Sequence, residues 1–76
     1  MAPRLPVTTP VEVIAALNRM GFRVVRQHGS HVFLRHELRP GKYVCVPSHR
    51  GDLSSGTLMS ILRQAGVTVD QLREVL

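Results

Sequence analysis

The fold is decided by residues 22–47, FRVVRQHGSHVFLRHELRPGKYVCVP. This stretch holds three short runs rich in β-branched and aromatic residues, at 22–27, 31–36 and 42–46. The segments between them, 28–30 (HGS) and 37–41 (ELRPG), have the composition of turns. Because connections this short join neighbouring strands, the sequence predicts a three-stranded antiparallel meander.

The second of these strands indicates which face of the sheet is covered. Side chains alternate along a strand, so Val32 and Leu34 lie on one face while His31, Phe33 and Arg35 lie on the other. The apolar pair favours the face that helices cover. We therefore expect His31 and Arg35 on a face that is open to water.

Helical signals flank the strands on both sides. Thr9, Pro10 and Glu12 form the start of a first helix, with a Thr-x-x-Glu capping box. Its predicted apolar stripe is Val11, Ile14, Ala15, Leu17 and Met20.

A second helix follows the strands, with either Ser54 or Ser55 as its cap and Gly66 after its end. Its predicted buried positions are Leu58, Ile61, Leu62 and Ala65. A last short helix is expected over 69–76, with Thr68 as its cap. The sequence thus predicts an α+β fold of order α-β-β-β-α, as one domain over 9–76 after an extended leader of residues 1–8.

Composition and charge limit the possible functions. The 76 residues contain ten Lys+Arg and five Asp+Glu, a formal net charge of +5, which favours RNA or an acidic protein as a partner. No apolar run approaches the roughly 20 residues of a membrane-spanning helix, and the first ten residues lack a signal-peptide core. Cys45 is the single cysteine, which fits a reducing compartment. We expect a cytoplasmic protein without a membrane partner.

The four histidines do not form a metal-binding pattern. His31 and His36 are five residues apart and therefore point to opposite faces of one strand. Cys45 has no second cysteine with which to complete a zinc site. A nucleophile elbow, a pair of catalytic carboxylates and a phosphate-binding glycine loop are also missing. We expect no metal and no cofactor.

The residue types present fit the cleavage of RNA. The 2′-hydroxyl of RNA can attack the neighbouring phosphate, so a protein needs only a base active near neutral pH, positive charge and correct positioning. Histidine supplies such a base and arginine supplies bidentate phosphate contacts. His31 on an open face, with Arg26, Arg35 and Arg50 nearby, would provide this minimum set.

Aromatic residues are sparse, since Phe22, Phe33 and Tyr43 are the only ones. At least one or two of them should lie in the core. We therefore do not expect a platform on which single-stranded bases stack.

Three motifs follow one another along the chain: Gly29-Ser30-His31 at the start of the second strand, Val46-Pro47-Ser48-His49 after the third, and GTLMSILRQAG over 56–66 in the second helix. Together they resemble the HicA family, small toxins of bacterial and archaeal HicA–HicB toxin–antitoxin systems. The resemblance runs from about Val11 to Leu72.

This resemblance implies a fold like that of a double-stranded-RNA-binding domain, with the helices on one sheet face, and the activity of an mRNA interferase. The family's catalytic histidine corresponds to His31, supported by the turn of Gly29 and Ser30. His49 matches a recurrent family position and is a candidate for contact with substrate or antitoxin rather than a second catalytic residue. The implied partners are mRNA and a HicB-type antitoxin that covers the active surface. The candidate RNA-binding residues are Gly29, Ser30, Arg26, Arg35, His49 and Arg50.

Two other functions stay open on the sequence. The chain could be a non-catalytic RNA-binding module of the same fold, which would bind RNA with a steep salt dependence and leave it intact. It could instead be a basic domain that binds an acidic protein partner. A nuclease assay separates both from the interferase.

Overall fold

The computed structural model describes residues 4–76. Its elements follow the order α1 (Pro10–Arg19), β1 (Phe22–His28), β2 (His31–His36), β3 (Tyr43–Pro47), α2 (Ser55–Ala65) and α3 (Val69–Val75). The strands form one antiparallel sheet in the order β1-β2-β3. The predicted α+β class and meander are confirmed, and the arrangement is that of a double-stranded-RNA-binding domain with one extra short helix.

The strand ends differ slightly from the prediction. β1 continues to His28, where that residue still pairs with His31. β3 begins one residue later than expected, because the Lys42 N–H bonds to the Arg39 carbonyl in the preceding turn. It ends one residue later as well, since Pro47 pairs with His31.

Each helix starts at a capping side chain that the sequence predicts. Thr9 accepts from the Glu12 N–H at 3.3 Å, while its own N–H donates to the Glu12 carboxylate at 2.9 Å. The backbone N–H of Thr9, followed by its hydroxyl, lowers the pKa of Glu12 by stabilising the charged form. Of the two candidate caps for α2, Ser54 is the one used, and it accepts from the Thr57 N–H at 3.2 Å.

The core lies between the helices and one face of the sheet. The predicted positions of α2, Leu58, Ile61, Leu62 and Ala65, are all buried against it. The stripe predicted for α1 is partly wrong, since Val11 is 72% exposed whereas Val13 and Ala16 are fully buried. Both sets have helical spacing, and the packing of α1 on the sheet and on α3 decides which of them faces inward.

The predicted leader packs onto this core near its junction with α1. Residues 1–3 lie outside the described residues, and residues 4–9 form neither helix nor strand. Thr8 is buried, and its carbonyl accepts from the Leu53 N–H at 2.8 Å. Leu5 packs against the core. The segment before α1 therefore contributes to the folded unit.

A β-bulge in β1 changes which side chains reach the open face. Val24 pairs with Leu34 and Arg26 pairs with Phe33, which leaves Val25 without a partner on β2. In a regular strand Arg26 would share the face of Val24, because the two are two residues apart. The extra residue turns Arg26 to the opposite face.

The pairing defines two unequal faces of the sheet. Val32, Leu34, Val44 and Val46 lie under the helices and are buried. The opposite face, which we call the open face, consists of Arg23, Arg26, His28, His31, Phe33, Arg35, Tyr43, Cys45 and Pro47. The expected placement of His31 and Arg35 is therefore correct. Among residues 4–76, no helix has the length and apolar character needed to cross a membrane.

Candidate nucleic-acid interface

The turn between β1 and β2 brings two histidines together. Gly29 has a φ of 58°, a conformation that favours glycine, and a Cβ there would meet no atom within 4 Å. Glycine is therefore favoured at position 29 by the positive φ of its backbone and not by a lack of space for a side chain. His28 and His31 flank the turn as directly paired residues, so both side chains project from the open face. Both are exposed.

The loop after β3 is tied to this turn through the main chain. The Ser48 N–H donates to the Ser30 carbonyl. His49 follows directly and is exposed, and its Nδ1 donates to the Arg50 carbonyl at 2.9 Å. The structure thus brings Ser30 and the 48–50 segment together. The His49 ring is thus bonded to the main chain of Arg50, and this hydrogen bond does not involve the Arg50 guanidinium.

Two aromatic rings stack against each other on the open face. Phe33 and Tyr43 are stacked with centroids 5.7 Å apart and an interplanar angle of 22°. The Arg26 guanidinium lies 4.7 Å from the Phe33 centroid, and that of Arg35 lies 5.5 Å from the Tyr43 centroid. The ring of His31 is 6.5 Å from that of Phe33.

The three aromatic residues divide between the core and the open face. Of the three aromatic residues, Phe22 is buried in the core, but Phe33 is only half-buried and Tyr43 is 39% exposed. Phe22 is therefore the expected core aromatic, and two rings remain on the open face. Sequence alternation in β2 already put Phe33 on the open face, but the neighbouring position of Tyr43 depends on the register of β3.

A shallow cavity of about 350 Å³ adjoins His31, between the open face and α2. Gln64 closes one side of it, since its Oε1 accepts from the Cys45 N–H at 3.0 Å and its Nε2 donates to the Ser60 hydroxyl at 3.2 Å. The full lining is His31, Cys45, Pro47, Gly56, Thr57, Ser60, Ile61 and Gln64.

The cavity contains residues to which the sequence assigned no role. Thr57 and Ser60 come from the first two turns of α2 and meet His31 only in the tertiary structure. The one available signal was the motif over 56–66, which contains both.

The sequence also assigned no role to His28, although a two-residue turn before His31 would have placed it opposite that residue.

His36 lies outside this site and serves the fold. Its Nδ1 accepts from the Leu38 N–H at 3.1 Å, so its Nε2 carries the proton and donates to the Met20 carbonyl at 2.9 Å. The ring also meets Phe22 edge-on, with centroids 5.0 Å apart. His36 thereby links the end of α1 to the segment after β2.

The arginines of the open face have two kinds of partner, a carboxylate or an aromatic ring. Arg23 is 3.1 Å from the Glu37 carboxylate, in an exposed ion pair. Arg26 and Arg35 instead lie over aromatic rings, where their charge is available to a phosphate. Within residues 4–76, no three side chains of the metal-ligating types come together. The functional groups of the described site are imidazoles, guanidiniums, hydroxyls and the Cys45 thiol.

One protein-family match covers this part of the chain. The family described as the HicA toxin of bacterial toxin–antitoxin systems matches residues 11–67, which run from α1 to just beyond α2 and include the whole open face. No curated protein matches the chain. Because the match covers most of the 76 residues, the chain belongs to the HicA toxin family.

Proposed function

We propose that this HicA toxin is an mRNA interferase that cleaves RNA on the open face, with His31 as the general base. Membership of the toxin family supports the class of activity. The placement of His31 carries the catalytic assignment: it is exposed, directly opposite His28, beside the Phe33 ring and at the edge of a cavity. An imidazole in that position can reach a bound nucleotide.

In the proposed step, the neutral His31 imidazole removes the proton from a 2′-hydroxyl. The 2′-oxygen forms a bond to the adjacent phosphorus, and the bond between phosphorus and the 5′-oxygen breaks. The products are a 2′,3′-cyclic phosphate and a 5′-hydroxyl, so the leaving oxygen must gain a proton. We assign that proton to His28 in its protonated form, because its side chain projects from the same face as His31.

Other residues of the face hold the phosphate and stabilise its charge. Arg26 and Arg35 carry permanent positive charge and present planar donors to phosphate oxygens. Gly29 lets the backbone approach closely, and the Ser30 hydroxyl donates to the same oxygens. His49 and Arg50 extend the contact along the bound strand, from the loop that is bonded to Ser30.

A HicB-type antitoxin is the proposed inhibitor, acting in the cytoplasm by covering the open face. The family match supports a toxin–antitoxin pair. The charge supports an acidic contact surface on the antitoxin, since the toxin carries a net +5. Two alternatives are outcomes of the experiment below: an RNA-binding module that does not cleave, and a basic domain that binds only an acidic protein.

The experiment compares wild type with His31→Ala on RNA in the presence of a chelator. We expect wild type to cut RNA and leave 2′,3′-cyclic phosphate ends, and the variant to be about 10²- to 10⁴-fold slower, as is typical when a general base is lost. Thermal unfolding checks that the variant is folded. Equal cleavage by both proteins, or intact RNA with both, would overturn the proposal.

The role of His28 is tested in the same assay with a second substrate. His28→Gln should slow cleavage of ordinary RNA, because the 5′-oxygen then leaves without a proton. RNA with sulfur in place of the bridging 5′-oxygen has a leaving group that needs no protonation. This substrate should restore the rate of His28→Gln and leave His31→Ala slow. If both variants respond alike, His28 is not the acid.

A further inference from the structure

We propose that the RNA bound on the open face is single-stranded and that one of its bases stacks on the Phe33–Tyr43 pair. This inference rests on the proposed function and adds the form of RNA that the site takes. It assigns a binding role to two aromatic residues and gives Arg26 and Arg35 a defined place beside the stacked nucleotide.

The two rings form one stack of nearly parallel planes on the open face. Their centroids are 5.7 Å apart and their planes differ by 22°, so a planar base can join the stack in almost the same orientation. They lie on adjacent strands and are held by the register in which Phe33 pairs with Cys45 and Arg35 pairs with Tyr43. Every base has a planar face, and such a surface therefore binds single strands with little sequence preference.

The arginines supply the charge that a nucleotide needs beside its base. Arg26 and Arg35 lie over the two rings as cation–π partners, at 4.7 Å and 5.5 Å from their centroids. A base that occupies the ring surface would displace the guanidiniums toward the phosphates on either side. The bulge at Val25 is what brings Arg26 to this face at all.

The distribution of charge argues against a duplex. A duplex presents phosphates and 2′-hydroxyls while its bases are stacked on each other. It therefore has no free base face that could stack on an aromatic side chain. The two cations nearest these rings, Arg26 and Arg35, both lie over an aromatic face, where a nucleotide with an unpaired base can use the charge and the ring together.

The distance to His31 connects stacking with cleavage. The His31 ring is 6.5 Å from the Phe33 ring, which is within the reach of a single nucleotide. A nucleobase stacked on Phe33 thus places its own sugar and phosphate beside His31, the proposed general base. An unpaired nucleotide can also rotate to align its 2′-oxygen with the leaving oxygen, a geometry on which this reaction depends.

The binding experiment uses the full chain with His31→Ala, so that RNA stays intact. Its affinity is measured by fluorescence anisotropy for a labelled single-stranded RNA and for the same RNA annealed to its complement. We expect the single strand to bind at least tenfold more tightly. Adding Phe33→Leu or Tyr43→Leu should weaken single-strand binding about tenfold and leave duplex binding unchanged, because leucine keeps apolar bulk and loses the planar face. Tyr43→Phe is the matched control and should retain affinity.

A second readout needs no substitution in the stacking pair. Tyr43 is the only tyrosine and the chain has no tryptophan, so intrinsic fluorescence reports on this one ring. Single-stranded RNA should quench it, whereas inorganic polyphosphate should not. Duplex binding as tight as single-strand binding, unchanged affinity of the leucine variants, or unquenched tyrosine would overturn the inference.

The cleavage assay separates failure of this inference from failure of the proposed function. If wild type cuts RNA while the leucine variants keep full single-strand affinity, the stacking site is refuted and the interferase stands. If single strands bind through the rings but wild type cuts nothing, the stacking site is supported and catalysis is refuted. Binding to an acidic protein without binding to RNA would overturn both.

Discussion

Among single side chains, the four histidines show how position decides chemistry. His28 and His31 meet at a turn on the open face, and His49 lies in an exposed loop. His36 differs, because both of its ring nitrogens are engaged by backbone groups and its ring packs on Phe22. One residue type thus supplies both the proposed catalysts and a structural link.

We expect His36→Ala to lower the free energy of unfolding by about 1 to 3 kcal/mol, since two hydrogen bonds and an aromatic contact are lost. Urea unfolding at neutral pH measures this. His49→Ala removes an exposed ring and should stay within about 0.5 kcal/mol of wild type. Equal unfolding midpoints for the two variants would show that His36 does not link these segments.

Among the helices and strands, β1 and α2 do most to shape the site. β1 is an edge strand in which Val24 and Val25 are about half exposed, and its bulge turns Arg26 to the open face. α2 covers the core with one side and lines the cavity beside His31 with its first two turns. The end of α2 is set by Gly66, which has a φ of 70°.

The two glycines of this region should respond oppositely to alanine. Gly66→Ala forces a left-handed conformation on a side chain and should destabilise the protein by about 1 to 2 kcal/mol. Its Cβ would also lie 2.7 Å from the Lys42 ammonium, which can move aside. Gly56 is in the first turn of α2 with open space around it, so Gly56→Ala should stabilise by up to about 1 kcal/mol. Thermal unfolding of both variants tests the pair, and shifts of the same sign would contradict it.

For the molecule as a whole, we expect the position of the positive charges to affect the binding of a polyanion more than the net charge does. The net charge is +5, but Arg26 and Arg35 share one face of the sheet, where they lie over the rings and pair with no carboxylate within residues 4–76. Such an arrangement attracts a polyanion to that face and releases its counterions on binding. The opposite side of the sheet is occupied by helices.

The salt dependence of RNA affinity distinguishes the effect of where an arginine lies from the effect of the net charge. Arg26→Ala and Arg63→Ala each lower the net charge of +5 by one, but only Arg26 lies on the open face. For single-stranded RNA on the His31→Ala background, Arg26→Ala should reduce the slope of log affinity against log salt by about 0.7. Arg63→Ala should leave the slope unchanged. Identical slopes in the two variants would mean that RNA senses only the net charge.

Local hydrogen bonding and periodicity made much of the fold predictable. Thr9, Ser54 and Thr68 cap helices because their side chains bond to backbone groups three residues away, a contact that depends on nearby sequence only. The alternation in β2 likewise assigned Val32 and His31 to opposite faces. The face of α1 was not predictable in the same way, because two overlapping stripes satisfied the helical period and packing selected one.

By itself, the sequence determined the order of elements, the turn at Gly29 and the exposed position of His31, since each follows from residues close together in the chain. Only the tertiary structure decided the bulge that redirects Arg26, the contact between Phe33 and Tyr43, and the cavity that α2 forms beside His31. These features depend on strand register and on helix packing across distant segments. Non-local contacts of this kind leave no periodic signal in the sequence.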